Sequence, residues 1–155
     1  MSKKDEKRMA LASYYASLSN MRCHHGCVII LNGNVIAHGY NNLRNYSKDH
    51  LIDDVSCHAE ISALRNALKR LKLNPNRDKT VIHRMKLYVA RIGTNGCFLD
   101  SKPCLQCYVT LKNAGVTNII YSNSYCLNKM DIREDHGCKS SSGLKLVNQL
   151  CLNPN

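Results

Sequence analysis

Two short motifs, each at the head of a helical pattern, constrain this chain more than any other feature. His58-Ala59-Glu60 opens a stretch in which Ile61, Leu64, Leu68 and Leu71 recur on one helix face. Ser101-Lys102-Pro103 opens a second helix that runs to about Ala114, with proline in its first turn and Gly115 suited to its C-cap. Cys104 and Cys107, three apart, share a face of that helix, so both thiolates can reach one ion, and the helix N-terminus lowers the cost of their charge. His58, at the start of the other helix, can supply a third ligand. Three protein ligands leave the fourth tetrahedral position of a zinc ion open to water, which marks a catalytic site more than a structural one. Cys57 beside His58 reads as a small buried side chain, because adjacent residues rarely both turn toward one ion.

The rest of the chain reads as a sheet and its cover. Met9, Leu11, Ala12, Tyr15 and Leu18 predict a first helix from about Lys4 to Ser19. The runs Cys27 to Leu31 and Val35 to Gly39 flank Asn32-Gly33-Asn34, a strong signal for an antiparallel hairpin. A polar loop follows from Asn41 to Ser56, and Asn74-Pro75-Asn76 ends the His58 helix. Lys86 to Ile92 and Asn118 to Ser122 read as strands, with Thr94-Asn95-Gly96 a turn before Cys97 to Leu99. This order predicts a three-layer α/β fold, a mixed central sheet flanked by helices, whose later strands are parallel because helices connect them. No internal repeat divides the chain, and a single domain over residues 1–155 is expected; Lys139 to Gly143 reads as a loop.

Charge and cysteine usage narrow the partners. The formal net charge is +11, a field that favours nucleotides or nucleic acid, and Arg65 to Arg91 carries nine basic residues against the single acid Asp78. A solvated, solubilising surface is the competing reading of that segment. Nine cysteines, an odd number behind a charged start without an apolar h-region, read as thiols and metal ligands in a reducing compartment, so a cytoplasmic protein is expected. No stretch approaches the ~18 apolar residues of a membrane span.

The chemistry follows from the ligand set. Zinc lowers the pKa of bound water toward ~7, and hydrolytic removal of an exocyclic amine then needs a group that carries protons from the water to the ring nitrogen and the departing ammonia. Glu60, two residues after His58, is placed for that work. His-x-Glu followed by Pro-Cys-x-x-Cys is the signature of zinc-dependent deaminases, and His58, Glu60, Pro103, Cys104 and Cys107 match each fixed position. With His25-Gly-Cys-Val-Ile-Ile and Gly39-Tyr-Asn41 ahead of it, and Gly115-Val-Thr-Asn-Ile-Ile-Tyr121 behind, the chain resembles the cytidine/deoxycytidylate deaminase superfamily. The resemblance implies a cytidine-deaminase-like fold, contact of Asn41 with the sugar or base of a nucleotide, and a homo-oligomer. The excursion from Gly93 to Asp100 is longer than the family's usual lead into its Pro-Cys motif.

Several readings stay open at this level. Cys23, His24, His25 and Cys27 have spacing for a second metal site, against the simpler reading of buried thiols at a strand start with a histidine lining the active site. Asn41 could instead be a turn residue. For function, deamination of a free cytosine nucleotide or nucleoside, dCMP to dUMP foremost, is the first expectation. The alternatives are an enzyme editing cytosine or adenosine within single-stranded nucleic acid, for which charge and tyrosines would line a groove, and a catalytically silent zinc module.

Overall fold

The computed structural model describes residues 1–52 and 56–134. Helix α1 (Lys3–Ser17) starts from a capping box: Ser2 accepts from the Asp5 backbone while the Asp5 carboxylate accepts from the Ser2 backbone. Strands β1 (His24–Leu31) and β2 (Asn34–Tyr40) form the expected antiparallel hairpin, turning through Asn32 and Gly33, both at positive φ. Helix α2 (Ala59–Leu71) follows, then the short α3 (Lys79–His83) and strand β3 (Lys86–Ile92). The two-residue β4 (Phe98–Leu99) folds back on the end of β3. Helix α4 (Leu105–Ala114), capped by Gly115 at φ 100°, leads to β5 (Asn118–Ser122) and β6 (Leu127–Asp131).

The sheet runs β2-β1-β3-β5-β6, with β3 and β5 parallel across the α4 crossover and the other neighbours antiparallel. Strand alternation divides its side chains between two cores. Val28, Ile30, Tyr88, Ala90 and Ile120 pack with Met9 and Ala12 of α1. Cys27, Ile29, Leu87, Val89 and Ile119 pack with Ala63, Leu64 and Ala67 of α2 and Leu111 of α4. Helices therefore cover both faces, which is the predicted three-layer mixed α/β architecture. Each fully buried Leu or Ile contributes roughly 1.5–3 kcal/mol, so either layer alone outweighs any single surface ion pair.

Two glycines set how closely the helices approach. A Cβ on Gly26 would lie 2.1 Å from the Ala12 carbonyl oxygen and 2.3 Å from the Ala16 nitrogen of α1. A Cβ on Gly39 would lie 2.4 Å from the Ala63 nitrogen of α2. Backbone meets backbone at both places, and the second contact seats the helix that carries His58 and Glu60.

The structure departs from the sequence reading in three places. Helix α4 begins at Leu105 with Cys104 as its extended N-cap, so Pro103 precedes the helix and does not sit in its first turn. Ser101 explains the delay: its hydroxyl donates to the Val89 carbonyl and accepts from the Ser122 backbone, tying this segment across the ends of β3 and β5. Helix α3 and strand β6 were not expected. The former has five residues, too few for a periodic pattern, and the latter pairs only with β5 and buries Met130 alone within its span. The predicted loop Lys139 to Gly143 lies outside the described residues.

Candidate active site

The N-termini of α2 and α4 converge at one end of the inner core. His58 is the N-cap of α2, extended at φ −77° and ψ 156°, and Cys104 holds the same position on α4, extended at φ −71° and ψ 167°. His58 Nδ1 lies 3.4 Å from Cys104 Sγ and 3.2 Å from Cys107 Sγ. A tetrahedral zinc with Zn–S bonds of about 2.3 Å and a Zn–N bond of about 2.0 Å requires sulfur–nitrogen separations of about 3.5 Å, so the donors stand where the ion needs them. Among the described residues this is the one group of three or more His, Cys, Asp or Glu side chains with ligand atoms within 4.8 Å of one another.

Electrostatics around the group favour a bound cation. A hydrogen bond from Cys107, helped by His58, holds the Cys104 thiol down to about 4, while the shared proton and burial push Cys107 well up. The helix N-terminus beside Cys104 favours its anion, the form that binds a cation. Glu60, in the first turn of α2, is only 4% exposed. Burial raises its carboxyl to about 7, with Cys104 adding to the rise and His58 opposing it. A carboxyl of that pKa can both take and give a proton near neutrality. A cavity of about 360 Å³ opens beside the group, walled by His58, Cys57, Ile61, Leu105, Cys107 and Val109 among others.

The other sequence candidates divide. Cys57 is buried, its thiol pushed up to about 11 by that burial, and it stands outside the ligand group. Cys23, His24, His25 and Cys27 do not gather: Cys23 is exposed, Cys27 is sealed in the core, and alternation along β1 sends neighbouring side chains to opposite faces. His25 is the member on the active-site side, level with Arg91 and within electrostatic reach of His58; burial first, then Arg91, lowers it to about 4. Asn41 is 7% exposed and both its polar atoms serve the backbone, Oδ1 accepting from His25 N at 2.9 Å and Nδ2 donating to the Cys23 carbonyl at 2.6 Å. It fastens the strand that presents His25. The basic segment is scattered in space: Arg65 pairs with Asp49, Arg70 donates to the Ile36 carbonyl, and Arg77 pairs with Asp78.

A model of the cytidine and deoxycytidylate deaminase zinc-binding region matches residues 2–123. The chain belongs to that family. It is 32% identical over 130 residues to a deoxycytidylate deaminase of Saccharomyces cerevisiae, an alignment covering 78% of this chain and 38% of that one. The chain thus spans about two-fifths of that relative's length. In fold it is similar to a dCMP deaminase of cyanophage S-TIM5 solved with dCMP and dUMP, at 22% identity and TM-score 0.56, over 97% of this chain and 94% of that one. It is also similar to a guanine deaminase of Bacillus subtilis, at 24% identity and TM-score 0.52, over 79% and 65% of the two chains. Membership in a zinc-binding family and the spacing of His58, Cys104 and Cys107 agree on the cofactor.

Arg91 was not singled out by the sequence beyond its place in a basic run. The available signal was a charged residue at the inward-facing position of an otherwise apolar strand, Leu87-Tyr88-Val89-Ala90-Arg91.

Proposed function

We propose that the protein is a hydrolytic deaminase of a cytosine nucleotide, converting dCMP and water to dUMP and ammonia. One observation carries the reading: a buried carboxyl, Glu60, raised to about 7 and placed two residues from the imidazole of a His-Cys-Cys group. His58, Cys104 and Cys107 would hold zinc, which when bound supplies a water acidic enough to lose a proton near neutral pH. Glu60 takes that proton and delivers it to N3 of the ring, then carries the proton left on the hydroxyl added to the ring carbon to the amino group, which departs as ammonia. Its burial excludes bulk water from these transfers. The choice of deoxycytidylate is supported by the similarity to the yeast enzyme and by a net charge of +11 that suits a phosphorylated substrate.

A second reading has an observation of its own. A groove of about 820 Å³ lined by Arg44, Arg65 and Lys69 adjoins the cavity beside His58, sharing His50, Leu51 and Thr110 with it, and could track a nucleic-acid backbone. Turnover of dCMP, deoxycytidine, cytosine, guanine and a cytosine-containing single strand at low and physiological salt separates the two. The mononucleotide reading expects dCMP to lead with a moderate salt effect; exclusive, steeply salt-sensitive turnover of the oligonucleotide would overturn it.

We infer further that residues 1–155 act as one domain and that the protein works in the cytoplasm. The described cysteines are all free, and no helix among the described residues is long and apolar enough to cross a membrane. A homo-oligomer is supported by Leu105 and Val109, 40% and 44% exposed one turn apart on α4.

A further inference from the structure

Among the described residues, two side-chain nitrogen or oxygen atoms are buried without a hydrogen-bond partner: Arg91 Nε and Asn128 Nδ2. Both are donors, and native interiors seldom leave a buried donor unspent without a reason. They lie on the same face of the sheet. Cys27, Val89, Tyr121 and Asn128 pair in register across four strands, and Cys27 and Val89 belong to the core under α2 and α4. Two residues beyond Val89, Arg91 emerges on that same face at the end of β3, opposite His25. His25 lies within electrostatic reach of both Arg91 and His58, so Arg91 stands on the same side of the sheet as the site in which Glu60 works.

The contacts of Arg91 are meagre for a half-buried guanidinium. Its Nη2 lies 3.6 Å from the Cys23 thiol, and none of the ion pairs among the described residues includes it. A planar guanidinium that joins no ion pair among the described residues matches a phosphate, which accepts two parallel hydrogen bonds from arginine. A cytosine nucleotide turned with its base toward Glu60 carries its phosphate at the opposite end of the molecule, away from the buried carboxyl and toward the rim. The strand, the β3–β4 turn and the fastening of residues 23 and 25 by Asn41 hold Arg91 in place for it.

We propose that Arg91 binds the 5′-phosphate of the nucleotide and so sets the preference for nucleotide over nucleoside. This rests on the deaminase reading of the site above. A purely structural arginine would act on both substrates alike.

The test compares wild type with Arg91→Gln and Arg91→Lys, zinc content checked in each. Two readouts are taken: kcat and KM for dCMP and deoxycytidine, and calorimetric affinity for dUMP and deoxyuridine. We expect R91Q to raise KM for dCMP and weaken dUMP binding about 10- to 100-fold while both nucleosides change less than about twofold, and R91K to recover part of the loss. Wild-type turnover of dCMP with an unchanged nucleotide-to-nucleoside ratio in R91Q overturns the phosphate role and leaves the deaminase reading standing. Equal loss on nucleotide and nucleoside overturns it in favour of a structural arginine. A wild-type protein that binds dUMP through Arg91 without deaminating dCMP upholds the phosphate contact and sinks the proposed reaction, whereas absence of both binding and turnover overturns the two together.

Discussion

On the α1 side of the sheet the ionisable contacts sit at the edge of the core: Tyr88 donates to Asp5 and accepts from Arg8, while Met9, Val28 and Ile30 fill the interior. On the α2 and α4 side the order is reversed at one end. Glu60 and Cys107 stand inside the packed layer, His25 lies half-buried on the same face, and Arg91 Nε is buried there unpaired. The first face follows the ordinary rule that charge stays wet and only apolar groups are sealed. The second breaks it where two helix N-termini meet, and a buried carboxyl raised to about 7 is the cost and the use of that exception. Both faces of the sheet carry packed cores but only one carries the chemistry, so substitutions on the two should have separable consequences for turnover.

The largest effect is expected at Glu60. Replacement by glutamine keeps the volume and the helix start but ends proton transfer, so kcat should fall by at least ~10²-fold with zinc content and melting temperature near wild type. Turnover near wild type would reduce Glu60 to a residue that merely suits the helix dipole, and the contrast between the faces would lose its functional half. Next come Cys104→Ala and Cys107→Ala. Removing either thiolate leaves two ligands of three, and metal analysis of the purified variants should show loss of tightly bound zinc together with a lower melting temperature. Full occupancy in both would reject the ligand set.

The paired glycines sharpen the comparison at a smaller scale. Gly26→Ala and Gly39→Ala each drive a methyl group into helix backbone, at 2.1 Å and 2.4 Å respectively, and each should destabilise by roughly 1–3 kcal/mol. Their effects on turnover should differ. G39A displaces the helix bearing His58 and Glu60, so kcat per folded molecule should drop severalfold, whereas G26A displaces α1 and should leave it nearly unchanged. Thermal unfolding alongside kcat measured well below the transition reads both. Equal losses of kcat would show that the layers are mechanically coupled.

Much of this was legible in the residues before any coordinates. The hairpin through Asn32-Gly33, the strands Lys86–Ile92 and Asn118–Ser122 and the parallel β3–β5 pair follow from local turn chemistry and from the need of a helical crossover. The convergence of His58 with Cys104 and Cys107 was readable because metal ligands impose a spacing that packing alone does not. The rest depends on contacts distant in sequence. Ser101 reaches Val89 and Ser122 and so delays α4, β6 exists because β5 offers it an edge, and Asn41 spends its amide on residues 23 and 25, none of which leaves a periodic or spaced mark. The crowding of nine basic residues between Arg65 and Arg91 misleads for the same reason, since α2, α3 and β3 carry them to different sides.

The smallest predicted effect lies on the α1 face. A hydrogen bond from Tyr88, the Ser2 backbone and side chain and the charge of Lys86 together hold Asp5 down to about 2, against an ordinary value of 3.8 and despite partial burial. A carboxyl lowered on folding stabilises the native state fully above its unfolded pKa, and that contribution disappears as pH falls from about 4 toward 2. Because the Asp5 carboxylate is only partly buried, the energy should be no more than about 1 kcal/mol. Asp5→Asn should therefore unfold at slightly lower urea than wild type at pH 7, with the gap closing by about pH 2.5 and kcat unaffected throughout. Urea titrations at pH 7, 4 and 2.5 measure the gap. If it persisted unchanged into acid, its origin would be the geometry of the Ser2 capping box and not the charge of Asp5; if kcat fell with it, the α1 face would reach the chemistry after all, through β3, which carries both Tyr88 and Arg91.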